Sequence, residues 1–149
     1  MTFSASVVGY IRKPEEGAIF IEIKPQYWKA TLQVDQFSHI IVLWWISGHD
    51  NPTSRANLAD YPPKENAGLS GVFASRSPAR PTPIGLSIVA IERLDEKTRR
   101  IYIDQIDARD DTPVVDIKPY MPFSDKVDKA RVPQWFHDNV SRYTSKPLG

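Results

Sequence analysis

The chain has 149 residues, the length of one ordinary domain, with 41% hydrophobic and 25% charged residues. It contains no cysteine, which excludes a disulfide framework, thiolate-bound zinc, an iron–sulfur cluster and a cysteine nucleophile. A formal charge of +1 does not indicate a broadly cationic nucleic-acid binder, and 13 prolines against 7 glycines are the main departure from average composition.

Period-2 hydrophobic patterns dominate and predict strands. In chain order these are Val7–Ile11, Ala18–Ile23, the seven-residue apolar run Ile40–Ile46, Gly71–Ala74, Leu86–Leu94, Arg100–Ile106 and Val114–Ile117. Asp95–Arg99 reads as the turn of a hairpin between the fifth and sixth of these. Pro25 opens a short helix through Leu32, and Pro133–Tyr143 carries an apolar stripe of Trp135, Phe136, Val140 and Tyr143 that predicts a C-terminal helix. Asn51–Asn66 is polar and holds Pro52, Pro62 and Pro63, so it is expected to be a long surface loop. The fold class expected is mainly β: a single-domain closed or partly open β-barrel over residues 1–149, with one or two short helices. The longest apolar run is too short to span a bilayer and no signal core follows the N-terminus; the absence of cysteine makes a reducing cytoplasmic setting the expectation.

Pro78, Pro81 and Pro83 stiffen the segment Gly71–Gly85 (GVFASRSPARPTPIG), because proline locks φ and removes an amide donor. Arg76 and Arg80 on such a loop can present fixed guanidinium forks to a carboxylate or phosphate. Pro78-Ala-Arg-Pro81 also fits a polyproline docking pattern. Its position between two strands of one domain favours the site reading.

Gly71–Ser87 (GVFASRSPARPTPIGLS), Phe37–Leu43 (FSHIIVL) and Thr112–Pro122 (TPVVDIKPYMP) together resemble the signature blocks of the TsaA-like family, whose bacterial TrmO-type members are S-adenosylmethionine-dependent tRNA adenine N6-methyltransferases. The resemblance runs from about Val8 to Pro122. It implies a β-barrel, a homodimer holding S-adenosyl-L-methionine near the subunit interface, and threonylcarbamoyl-adenosine next to the anticodon of tRNA as substrate. The cofactor contacts it implies are Arg76, Leu86, the segment Asp104, Gln105, Ile106 and Asp107, and the polar end of the strand after FSH, taken here as Ser47 and Gly48. The chain departs from the family at Thr82, where members keep asparagine, and at Asp111, where they keep glycine. It also has only Pro14–Gly17 after the first strand and lacks the C-terminal extension of bacterial members.

Methyl transfer to a carbamoylated N6 nitrogen needs a group to take its proton, and a carboxylate or histidine in hydrogen-bond reach can do so. Asp107, Asp110 and His39 are the catalytic candidates; Arg80, Lys118 and Tyr120 are the substrate-binding ones. Structural readings stand beside them. Asp110 and Asp111 suit a turn, His39 suits a hydrogen-bonded core position, and Asp116, Lys118 and Tyr120 alternate onto one face as an ion pair with an aromatic neighbour. Trp44 and Trp45 point to opposite faces of a strand, so at most one of them serves a given pocket. The candidate tRNA surface is Arg76, Arg80, Lys118, Lys126, Lys129 and Arg131. No histidine–aspartate spacing matches a metal motif, so no metal is expected. The alternatives are a cofactor-binding regulatory or adaptor protein, or a methyltransferase for a different small-molecule or RNA acceptor.

Overall fold

In the computed structural model, which describes residues 1–136, the chain forms eight strands, six of which fall in the alternating segments expected from sequence. These are β1 (Gly9–Arg12), β2 (Ile19–Ile23), β3 (His39–Trp45), β4 (Ala59–Asp60), β5 (Ser70–Gly71), β6 (Ile84–Asp95), β7 (Arg100–Ile103) and β8 (Pro113–Pro119). Six of them form one antiparallel sheet in the order β1-β2-β7-β6-β3-β8, and β8 pairs back onto β1 through Gly9↔Val114 and Tyr10↔Pro113. Each of the six therefore has a partner on both sides.

Alternation aims one β-branched set inward: Ile11, Ile21, Ile40, Val42, Val89, Ile101 and Val114 are all fully buried. Gly9 is required where β1 crosses close to β2, because a Cβ there would stand 2.4 Å from the Glu22 carbonyl oxygen. A bulge between Ile91 and Arg93 changes the phase of β6. Before it the outward residues are Ile84, Leu86 and Ile88, and after it they are Arg93 and Asp95, opposite Tyr102 and Arg100.

Several elements differ from expectation. Gly71–Ala74 is not a strand: Ser70–Gly71 pairs with Ala59–Asp60, and Val72–Ala74 is a single 3-10 turn. The expected loop over residues 51–66 thus holds β4, and also a short helix α1 (Pro52–Arg55), whose first turn is capped by Asn51 accepting from the Ser54 N–H at 2.9 Å. β7 ends at Ile103, three residues early, because the Asp104 carboxylate takes the Ala90 N–H at 2.9 Å where a strand carbonyl would. Pro25–Thr31 is 3-10 helix. A second short helix, α2 (Pro122–Asp125), follows β8. Of the expected C-terminal helix, Gln134–Phe136 form a 3-10 turn, and residues 137–143 lie outside the described residues. No helix among the described residues is long and apolar enough to cross a membrane.

Candidate functional site

Strand direction brings the ends of β1, β3 and β7 and the starts of β2, β6 and β8 to one rim of the sheet. The three buried polar side chains among the described residues, Ser87, Asp107 and Thr112, all lie there. A polar group is costly to bury without a partner, so their clustering at one rim marks a site.

The centre of the rim is a short relay. Trp44 points inward, and its Nε1–H donates to Ser87 Oγ at 3.0 Å. Ser87 Oγ–H in turn donates to Asp107 Oδ1. Gly85 makes room for the indole: a Cβ there would lie 2.4 Å from the Trp44 ring. Lys13 closes the other side. Its Nζ donates to the Ile106 carbonyl at 2.5 Å and its backbone N–H donates to Asp110 Oδ1 at 2.7 Å, so one residue of β1's end fastens both halves of segment 104–110. Burial pulls the Lys13 ammonium below the ordinary lysine range, and the Asp107 and Asp110 carboxylates oppose that shift.

Next to the relay, Asp111 adopts a left-handed φ of +65° at the position where the resemblance has glycine. Its carboxylate pairs with Arg12, which also reaches Glu22 at 3.3 Å.

The proline loop is held by several fasteners. Arg55 Nε donates to the Pro81 carbonyl at 2.9 Å, Asn57 Nδ2 to the Ala79 carbonyl at 2.9 Å, and Ser77 Oγ to Asp60 at 2.8 Å. Arg80 turns back on its own loop, donating to the carbonyls of Ser75 and Ser77, so this candidate substrate residue serves the loop's shape. Arg76 is exposed on the same loop. Arg55 also pairs with Asp50 at 3.0 Å, and Asp50 accepts from Trp45 Nε1 at 3.2 Å, which ties the loop to the end of β3.

Of the residues proposed from the sequence, this rim gathers Ser47, Gly48, Leu86, Gln105, Ile106, Asp107 and Asp110, while Asp104 lies further along β6, bonded to Ala90, the cross-strand partner of His39. Ser47 and Gly48 form an exposed 3-10 turn, Ile106 is fully buried, and Leu86 and Ile84 are 39% and 43% exposed. His39, Lys118 and Tyr120 are not brought to it. They sit toward the far end of β3 and β8: His39 is three residues, about 10 Å by strand rise, from Val42, the partner of Ser87, and shares the outward face of Ile41 while Ser87 points inward. There His39 Nδ1 shares a hydrogen bond with Ser38, Tyr120 packs edge-on to the imidazole, and Lys118 pairs with Asp116 at 2.9 Å. A cavity of about 230 Å³ opens at this far end beside Tyr27, Gln33 and Phe37; its single charged wall residue is that Asp116. Among the described residues no group of three or more histidine, aspartate or glutamate side chains is arranged to hold a metal.

Lys13, Ser87 and Arg55 are the members that sequence reasoning missed. Ser87 carried a signal, because it falls in phase with the inward Val89. Lys13 and Arg55 carried none, since their partners stand 93 and 26 residues away.

Residues 11–126 match the family model for the tRNA-methyltransferase O N-terminal domain. The chain is 39% identical over 109 residues to an S-adenosyl-L-methionine-binding protein of Archaeoglobus fulgidus, covering 73% of each. It is 37% identical over 90 residues to a mouse tRNA (adenine(37)-N6)-methyltransferase, covering 59% of this chain and 20% of that one. The crystal structure of TrmO from P. aeruginosa superposes with a TM-score of 0.68 at 30% identity, covering 90% of this chain and 62% of that one. Of two further archaeal relatives, from A. fulgidus and Pyrococcus abyssi, the chain spans 34% and 62% of the length. The length of the match and the shared fold decide the family: the chain belongs to the tRNA-methyltransferase O N-terminal domain family.

Proposed function

We propose that this chain binds S-adenosyl-L-methionine at the Trp44–Ser87–Asp107 rim and methylates N6 of threonylcarbamoyl-adenosine next to the anticodon of tRNA. The observation that carries the reading is the gathering of every buried polar side chain among the described residues at the rim where the cofactor segments meet. The donor set suits the cofactor. Exposed Ile84 and Leu86 offer apolar surface for an adenosyl group, the Ser47–Gly48 turn offers backbone donors and acceptors, and the Asp107 and Asp110 carboxylates favour a sulfonium cation. When bound, the cofactor supplies a methyl group activated by positive sulfur.

The chain's residues then orient and exclude water. Ser87 fixes the Asp107 carboxylate, which takes the proton leaving N6, and Lys13 holds the segment that carries it. Asp110 and exposed Arg76 complete the cofactor site. The ring of strand pairings is read as a closed barrel that keeps this rim rigid. The outward apolar row Ile84, Leu86, Leu43 and Trp45 is read as the contact between two copies of the chain in a cytoplasmic homodimer.

Two measurements test this. Calorimetric titration should give one S-adenosyl-L-methionine per chain; no binding would sink the whole reading. Nucleoside mass spectrometry of tRNA incubated with protein and cofactor should show threonylcarbamoyl-adenosine gaining one methyl group. Cofactor binding with that nucleoside unchanged would assign the site to another acceptor.

A further inference from the structure

The outer surface over β1, β2, β7 and the end of β6 is built unlike the rest of the sheet. Register places Arg12, Phe20, Tyr102 and Arg93 side by side on four adjacent strands, one outward residue from each. The tier beside it reads Tyr10, Glu22, Arg100 and Asp95. The cations lie on the rings. The Arg93 guanidinium is 3.8 Å from the Tyr102 ring centre and that of Arg100 is 4.2 Å from Phe20, whose ring lies 5.5 Å from Tyr102. Arg12 and Lys24 stand 4.9 and 5.8 Å from the Tyr10 ring. Arg100 Nη1 also donates to the Tyr102 hydroxyl at 3.3 Å, which helps hold the Arg100 guanidinium in place.

We propose that this tier is an RNA-contact surface that stacks unpaired bases on the Arg93 and Arg100 guanidinium planes and pairs the same cations with phosphates. A guanidinium held over an aromatic ring can stack its other face on a nucleobase while its N–H groups donate to phosphate. Charge favours the same partner. Arg12 engages Asp111 and shares Glu22 with Arg100, so Arg12, Lys24, Arg93 and Arg100 outnumber the acids Glu22, Asp95 and Asp111 on this surface. The tier is also continuous with the candidate site, because Arg12 grips Asp111 and the next residue, Lys13, grips Ile106 and Asp110. From Arg12 to Arg93 it spans three interstrand spacings, about 14 Å, so a strand lying on it leads straight to the rim. It differs from the basic residues picked out from sequence, of which Arg80 is turned into its loop while Lys118 and Lys126 pair with Asp116 and Asp128.

This deepens the tRNA reading and rests on it. The test is the affinity of the full chain for unfractionated tRNA across a salt series, with S-adenosyl-L-methionine titration alongside. The double variant Arg93→Gln/Arg100→Gln should bind tRNA at least about tenfold more weakly, with its log K against log salt slope shallower by about two, at unchanged cofactor affinity. Arg93→Lys/Arg100→Lys should keep the slope while recovering only part of the affinity, because it keeps the charge and loses the plane. Wild-type tRNA affinity and slope in the glutamine pair, or no tRNA binding by the wild-type chain, would overturn the proposal. A wrong substrate assignment shows up differently: tRNA binds in the Arg93- and Arg100-dependent way but gains no methyl group.

Discussion

Two outer faces of one sheet differ in a way that hydrophobicity alone does not capture. Along β3 the outward positions are Ile41, Leu43 and Trp45, facing Ile84, Leu86 and Ile88 on β6; along β7 they are Arg100 and Tyr102, facing Asp95 and Arg93. The same strand, β6, contributes to both, and the bulge at Ile91–Arg93 is where one becomes the other. The first face is apolar and partly open to solvent, the condition in which a second surface is wanted. The second covers its rings with its own guanidiniums and needs no second apolar surface. An apolar face and a cationic, ring-covering face can therefore share a strand without sharing an edge.

The largest effect expected lies just beneath the apolar face. Gly85→Ala puts a methyl group into the Trp44 ring, which cannot swing away without breaking its bond to Ser87. Overpacking of this kind should cost about 2–3 kcal/mol, a Tm lower by roughly 8 °C. A Tm within a degree of wild type would mean the indole is free to move and the relay is not rigid. On the face itself, Ile84→Glu should leave the monomer folded, since Ile84 is 43% exposed, and weaken self-association by about thirtyfold, roughly 2 kcal/mol. Sedimentation equilibrium reads this directly; unchanged association would separate the apolar row from any contact between copies.

How much of this was legible follows from the range over which each feature is encoded. β3 was plain because the seven consecutive apolar residues Ile40–Ile46 declare a strand, although its outer face proves half-buried rather than covered, and the opposite aim of Trp44 and Trp45 follows from alternation alone. Asn51-Pro52 is a helix-start signature two residues long that was legible and read as loop; its capping bond is local. The Lys13 staple and the Arg12–Phe20–Tyr102–Arg93 tier were not legible. Each depends on register between strands up to about 90 residues apart, and a one-residue slip would send every side chain of the tier to the opposite face. His39 and Asp107 paired well as chemistry, yet His39 shares the outward face of Ile41 while Asp107 is held inside by Ser87, a separation that register and long-range pairing supply.

The smallest effect belongs to the rim where the cationic tier meets the site. Asp111 holds φ at +65° and pairs with Arg12, and two substitutions separate these contributions. Both Asp111→Ala and Asp111→Gly remove the carboxylate, whose side chain is 71% exposed, so the lost ion pair costs each the same small amount, at most about 1 kcal/mol. Alanine keeps the left-handed strain, roughly 1–2 kcal/mol, while glycine escapes it and instead loses about 0.4–1 kcal/mol through a more flexible unfolded chain. Glycine should therefore be the more stable of the two by roughly 0.5–1 kcal/mol in urea unfolding, with equal m values. Equal stabilities would mean that the turn relaxes out of the left-handed region once Arg12 lets go, and that the ion pair, and not the backbone, sets the conformation at the edge of the site.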